Sequence, residues 1–195
     1  MTSQTPEGRT VTRTVQGHEV PIAGTWNLDP THTSITFEVR HMMISKVRGS
    51  IQEASGTIEI GDAFADSRVE VTMETASVET GTPDRDTHLR SPDFFDVATY
   101  PHMSFRSTSI ETTEDGFRLN GELTVKDVTR PVILDAEFNG GIIDPYGNPR
   151  VAFSAAGEVD RTDWGLTWNM ALETGGVLVG KKAKLIIDTE ATLAN

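Results

Sequence analysis

A period of two runs through this chain and narrows what it can fold into. Ile35, Phe37, Val39 and His41 alternate with Ser34, Thr36, Glu38 and Arg40, and Val69, Val71 and Met73 alternate with Glu70, Thr72 and Glu74. Further on, Val132, Leu134, Ala136 and Phe138 face away from Asp135 and Glu137, with Ile133 as the exception. Near the end, Leu185, Ile187, Ala191 and Leu193 oppose Lys184, Asp188, Glu190 and Thr192. Successive side chains of a strand leave on opposite faces, so each segment has one apolar side and one wet side. Eight such segments occur, at roughly 34–43, 47–60, 67–75, 102–111, 117–126, 131–139, 150–160 and 181–193. Parallel sheets, covered by helices on both faces, read as unbroken apolar runs, whereas antiparallel ones tolerate a wet face. The pattern therefore predicts an all-β, antiparallel protein.

Turn chemistry separates the segments: Gly61-Asp62, Glu114-Asp115-Gly116, Asn139-Gly140-Gly141 and the stretch from Asp144 to Pro149 supply residues that accept or pre-set turn geometry. The one clear interruption is Thr82 to Tyr100, where Asp84 is expected to cap a helical turn and Ser91-Pro92-Asp93 to open another. Eight strands with one short helical crossing fit an up-and-down barrel, which closes on itself and leaves no exposed edge; an open sandwich is the alternative.

Composition bounds function more than fold. With 17 Lys and Arg against 29 Asp and Glu, the formal charge of −12 argues against a nucleic acid partner. The absence of cysteine excludes disulfides, thiolate metal sites and thiol nucleophiles. The opening stretch has no apolar core of the secretory kind and no 18-residue apolar run occurs, so a soluble, cytoplasmic protein is expected. Residues 1–23 read as a flexible arm ahead of a barrel spanning 24–195, although Val11–Val15 and Val20–Ile22 offer a small hairpin as the second choice.

An eight-stranded barrel is wide enough to be filled by its own side chains or to hold one small ligand. The inward positions mix Phe37, Phe105, Phe138 and Phe153 with small Ala136, Ala155 and Gly157, and this pattern alone does not choose between the two. His32, His41, His88 and His102 lack metal-ligand spacing, and no nucleophile elbow is present, so neither metal nor catalysis is expected. Gly175 to Lys182 imitates a phosphate loop, but Lys182 stands where Ser or Thr should hold magnesium and a strand follows instead of a helix. Lys181, Lys182 and Lys184 read as a barrel-end cluster able to meet an anionic head group, or as edge protection. Trp164 and Trp168, in the connection from Trp164 to Met170, read as a cap over the barrel mouth that doubles as a gate.

Several blocks resemble the YceI family: Asp29-Pro30-Thr31-His32 leading to Phe37 and His41, then Val47-Arg48-Gly49, and then Arg85 to Asp96, which includes the specific run HLRSPDFFD. Tyr100-Pro101, Gly121 to Val132 and Asp160 to Leu166 continue the match in order, over about 24–193. The family commonly has Ser at the position of Thr33 and Leu at that of Met42. The resemblance implies a lipocalin-like barrel that binds a polyisoprenoid or similar long-chain amphiphile in an apolar channel, often as a dimer. It implies no catalytic residue, no metal and no cofactor other than the bound lipid; many relatives carry a secretion signal, which this chain is expected to lack. The channel positions it implies, matched by parity or by the mouth loop, are Phe37, Val39, His41, Met43, Val71, Met73, Phe105, Leu134, Phe138, Phe153, Leu166, Trp168 and Ile187, with Lys181 and Lys182 for a head group. Strands of about ten residues rising ~3.3 Å each and tilted ~40° give a channel on the order of 25 Å tall, a length suited to a prenyl chain. An enzyme acting on such a lipid, with His41 as its sole polar candidate, and a structural barrel with a filled core remain as competing readings.

Overall fold

Residues 10–173 and 175–194 are described by the computed structural model. They form twelve strands and one helix. A hairpin of β1 (Thr12–Val15) and β2 (His18–Pro21) precedes β3 (Gly24–His41), β4 (Ser45–Ile51), β5 (Ala54–Ile60), β6 (Arg68–Glu74) and the two-residue β7 (Val78–Glu79). Helix α1 (Pro83–Arg90) leads to β8 (His102–Thr112), β9 (Phe117–Val125), β10 (Val128–Ile143), β11 (Pro149–Asp160) and β12 (Val179–Leu193). Every pairing among the described residues is antiparallel, the order around the sheet is β12-β11-β10-β9-β8-β6-β5-β3-β4-β7, and β12 pairs with β3 to close it. The result is the expected eight-stranded barrel with its helical crossing.

Two of the eight staves are broken. The segment expected as one strand over 47–60 divides at Gln52-Glu53, so that β4 pairs with the second half of β3 and β5 with its first residues. The next stave divides at the single turn Thr75–Ser77, and β7 follows β4 across the same break. The Ser77 hydroxyl accepts from the backbone N–H of both Gln52 and Glu53, at 3.1 and 3.0 Å, which satisfies the donors that the break releases. Beyond it β7 has no pairing with β8, and the segment from 80 to 101, including α1, stands in that gap.

The helical crossing differs in detail from its sequence reading. Thr82 is the N-cap, Pro83 takes the first helical position and Asp84 lies within the first turn. Ser91 ends α1, its hydroxyl donating to the His88 carbonyl at 2.7 Å, and turns rather than a second helix follow. The opening arm is also revised where it is described: from Thr12 to Pro21 the chain is the hairpin given above as second choice, while residues 1–9 lie outside the described residues. Val11 and Val20 are buried, because the hairpin lies over one end of the barrel and covers Trp26, Phe117 and Val151. The Arg13 guanidinium fastens it there by donating to the carbonyls of Gly61 and Asp62.

Candidate functional site

The barrel is hollow. Two apolar cavities lie along its axis, one of about 470 Å³ at the end where α1 sits and one of about 160 Å³ toward the hairpin. Ile35, Leu123 and Leu185 border both, so the two cavities abut along the axis and these three side chains form the waist between them. The larger volume alone falls in the range of small-molecule sites. A filled core is thereby excluded as a description of the interior.

The alternation of β3 places Phe37, Val39 and His41 on the wall of the larger cavity, and Met73 joins them from β6. Leu166 and Trp168 close over it from the connection between β11 and β12. Val71, Phe105, Leu134, Phe153 and Ile187 surround the smaller cavity. Two of the positions expected to line the channel do not. Phe138 points inward but packs on Phe153, ring centres 5.2 Å apart, behind the cavity wall. Met43 lies past the end of β3 in a two-residue turn, where parity no longer applies, and is 56% exposed. The lysines expected at a head group lie on the outer wall. Lys182 donates to Glu158 at 2.6 Å, which raises its pKa, and Lys181 is exposed.

Room for the channel is made partly by glycines. Phe37 lies across Gly49 on the neighbouring strand, where a Cβ would stand 2.3 Å from the ring, and Phe105 lies across Gly121 with 2.4 Å. Each ring is thus laid flat against the sheet and away from the axis. Parity marks these glycines as inward, but the ring that fills each slot becomes visible only from strand register.

Several wall residues escaped the sequence reading because they come from the crossing segment. Asp84, Arg85, His88, Leu89, Phe94 and Phe95 complete the larger cavity across the gap between β7 and β8. The segment is anchored by Asp86, a buried carboxylate that accepts from the Thr80 N–H at 2.8 Å and the Thr80 hydroxyl at 2.5 Å. Arg85 in turn donates to the Thr80 hydroxyl and carbonyl at 2.7 and 3.0 Å. At the mouth the His88 Nε2–H donates to the Asp93 carboxylate at 3.0 Å, and the ring meets that of Trp168 edge-on at 4.5 Å. Phe94 completes that aromatic lid, 5.4 Å from Trp168. Trp164 is buried and fixed by donating to the Leu123 carbonyl at 2.9 Å, so the expected cap is Trp164 and the exposed edge of the gate is Trp168.

Arg161, within the Asp160 to Leu166 block, holds the mouth together. Its buried guanidinium donates to the carbonyls of Gly180 at 2.8 Å, Val179 at 3.4 Å and Leu166, tying the connection to the start of β12. Burial lowers its pKa, with Asp160 acting in the opposite direction.

A second polar cluster lies outside the channel near the closed end. Arg150 is 2.6 Å from Asp29 and 3.1 Å from both Asp144 and Glu190. Asp29, His32 and Glu190 approach within 4.8 Å of one another, but the guanidinium already supplies their countercharge. Thr31 Oγ and Asp29 both contact the same ring nitrogen of His32, so the three do not form a relay in which imidazole passes a proton between partners. Hydrogen bonds from Thr31 and Arg150 hold Asp29 well below the usual carboxylate range, and backbone and side-chain bonds from Asn148 bring Asp144 down to about 2.

The family model described as "YceI-like domain" matches residues 26–191. A UPF0312 protein of Staphylococcus aureus is 33% identical over 172 residues, covering 87% of this chain and 98% of that one. Among solved structures, the YceI protein of Campylobacter jejuni superposes with a TM-score of 0.67 at 30% identity, over 80% of this chain and 90% of its own. BcnA of Burkholderia cenocepacia gives a TM-score of 0.74 at 18% identity, over 85% and 99%, and a polyisoprenoid binding domain from Saccharophagus degradans gives 0.63 at 13%, over 89% and 100%. The two at lower identity speak for the fold alone.

Proposed function

This chain belongs to the YceI-like family, and from that membership and the form of its channel we propose that it binds a polyisoprenoid or similar long-chain amphiphile and carries or sequesters it. The observation that carries the reading is the waisted apolar channel itself, about 470 Å³ above Ile35, Leu123 and Leu185 and about 160 Å³ below them. A compact metabolite would fill one chamber, whereas an extended chain passes the waist and wets both with hydrocarbon. Burying a dozen methylene equivalents at roughly 0.8 kcal/mol each gives on the order of 10 kcal/mol gross, part of which immobilisation removes. Apolar contact is therefore enough for tight binding without a polar anchor deep inside. The narrow end is lined by Phe64, Phe117 and Ile58 and suits the tail, which leaves the polar head at the wide end beside Arg85 and His88.

Binding is favoured over catalysis by the character of the wall: the polar groups of the wide end sit at its mouth, and below the waist the lining is apolar apart from Thr33, Ser154 and Thr189. Organic extraction of the purified protein followed by mass spectrometry identifies a bound amphiphile. Delipidated protein is expected to melt lower and to recover when long-chain isoprenoids are returned, since saturation at about 100 times Kd adds ~2.7 kcal/mol. A midpoint indifferent to delipidation and to every long-chain amphiphile added would overturn the reading.

A further inference from the structure

We propose that the hairpin tip between β3 and β4, together with the neighbouring residues 169–173 and 175–178, is a docking surface for an anionic lipid bilayer. Among the described residues, three two-residue turns have positive φ at both central positions: Gln16-Gly17, Met42-Met43 and Lys126-Asp127. That geometry favours Asn, Asp and Gly. The first and third follow or approach the rule with small or polar residues. The second places two methionines in the left-handed region and follows them with Ile44, which is 83% exposed. Backbone strain and apolar exposure at one tip are both unfavourable for an isolated soluble fold, so the sequence there answers to something outside it.

Neighbouring groups enlarge the tip into a patch. The Met42 N–H donates to the Leu178 carbonyl at 2.8 Å, and Leu178 N–H donates to the Met170 carbonyl at 2.9 Å. Met170 and Val177 are exposed there, beside Met43. Arg40, His41 and Leu178 also border the wide cavity, so the patch is continuous with the channel mouth.

Charge identifies the occupant. Residues 40–48 and 179–184, neighbours through the pairing of His41 with Val179, contain Arg40, Lys46, Arg48, Lys181, Lys182 and Lys184 and no carboxylate. Glu38 takes up Lys46 and Arg48 and Glu158 takes up Lys182, while Arg40, Lys181 and Lys184 form no ion pair among the described residues. Counted with Glu38, Glu158 and Asp160, which face these lysines across the ladder, and with Glu173 among the neighbouring residues, the six cations still outnumber the four carboxylates here, on a chain whose total charge is −12. Two such ends repel, which disfavours a second copy; apolar prongs ringed by cations suit the interface of an anionic bilayer.

The surface is argued from exposure and charge, so its test is separate from that of the cargo. The full chain is floated with vesicles of phosphatidylcholine alone and of phosphatidylcholine mixed with phosphatidylglycerol. Binding to the anionic vesicles, weakened by salt, is expected. Changing Met42→Asn, Met43→Gly and Ile44→Ser together puts a favoured turn sequence at the tip, so the variant is expected to melt no lower than the parent. It should lose about tenfold or more in vesicle affinity yet take up a fluorescent prenyl probe from solution as before. Lys181→Ser with Lys184→Ser should reduce the preference for anionic vesicles, and Ile142→Ser with Ile143→Ser, at the other end, should change nothing. Failure of the parent to bind anionic vesicles, equal binding by the tip variant, or a parent dimer that the tip variant abolishes would each overturn the proposal.

Discussion

The two ends of this barrel are built by opposite rules. At the hairpin end Trp26, Val20, Val151 and Ala191 are sealed within 2% exposure, and β1 and β2 lie over them like a plug. At the other end the strands stop short, two staves are broken, and loops and one helix complete the wall around a cavity three times as large. Close packing confers stability and leaves no space, whereas a ligand chamber needs space and gives up contacts. A single barrel satisfies both by dividing the tasks along its axis: one end fixes the register of the staves, and that freedom lets the other remain open.

The sharpest way to break this division is to remove one tryptophan from each end. Trp26→Ala empties a fully buried site, and a loss of about 3–5 kcal/mol is expected, with a large fall in the melting midpoint. Trp168→Ala, taken from the half-buried lid, should cost far less and instead speed the exchange of a bound fluorescent lipid, because the edge-on contact with His88 and the packing on Phe94 are lost. Equal midpoints for the two variants in thermal unfolding would contradict the division.

Arg161 is the point where the open end most resembles the closed one. Replacing it with Leu takes the Arg161 donor from the carbonyls of Gly180 and Leu166, while the Val179 carbonyl keeps the Asn169 side-chain amide, and a loss of about 2 kcal/mol is expected from the uncompensated acceptors. The same variant should accelerate lipid release by loosening the connection that carries Trp168. A stable variant with unchanged release would show that the mouth is held by apolar packing alone.

The glycine slots test whether the width of the channel is set by side chains. Gly49→Ala and Gly121→Ala each push a methyl into a ring, Phe37 or Phe105, and also against the Thr80 methyl or the Arg106 carbonyl at 2.8 Å, and a cost of about 1–3 kcal/mol follows if the sheet resists. If instead the ring swings toward the axis, stability is kept and the channel narrows. The prediction is a weaker affinity for long amphiphiles in both cases, measured by titration with a prenyl probe, with short ones affected less.

Strand existence and inward faces were legible in the sequence wherever a segment paired on both sides without irregularity, as in β3 from Ile35 to His41 and in β6. Parity ran out at strand ends. Met43 follows the end of β3, where parity no longer applies, while Phe138, just before the ladder shift at Gly140, keeps its inward face but is taken up by packing on Phe153. The break at Gln52-Glu53 does leave a signal, since the inward positions are Gly49 and Ile51 before it and Ile58 and Ile60 after it, and the segment expected over 67–75 ends at the second break; what the sequence does not show is that two staves turn aside there for α1. The walls contributed by His88, Leu89, Phe94 and Phe95 had no periodic signal at all, and only the family resemblance drew attention to that run. The hairpin over Thr12–Pro21 was weighed second to an arm, since its value lies in covering Trp26, a tertiary contact that local composition does not report.

The smallest expected effect comes from the polar clamp on the outside of the closed end. Asp29 and Asp144 are both held below their ordinary value of 3.8, the first by Thr31 and Arg150, the second by Asn148 and Arg150, and Asp144 titrates near 2. A carboxylate whose folded pKa is depressed contributes stability that is present above its unfolded pKa and is lost as pH falls through the folded one. The clamp should therefore act fully at neutral pH, weaken below about pH 4, and vanish only toward pH 2 and lower. Asp144 is buried and Asp29 largely so, but Arg150, which bridges them, stays partly open to solvent, so the gain is partly screened. Arg150→Gln should flatten the acid limb of the stability profile between those limits without altering lipid exchange at the mouth. If the variant instead releases lipid faster, the two ends are mechanically coupled and the division along the axis fails.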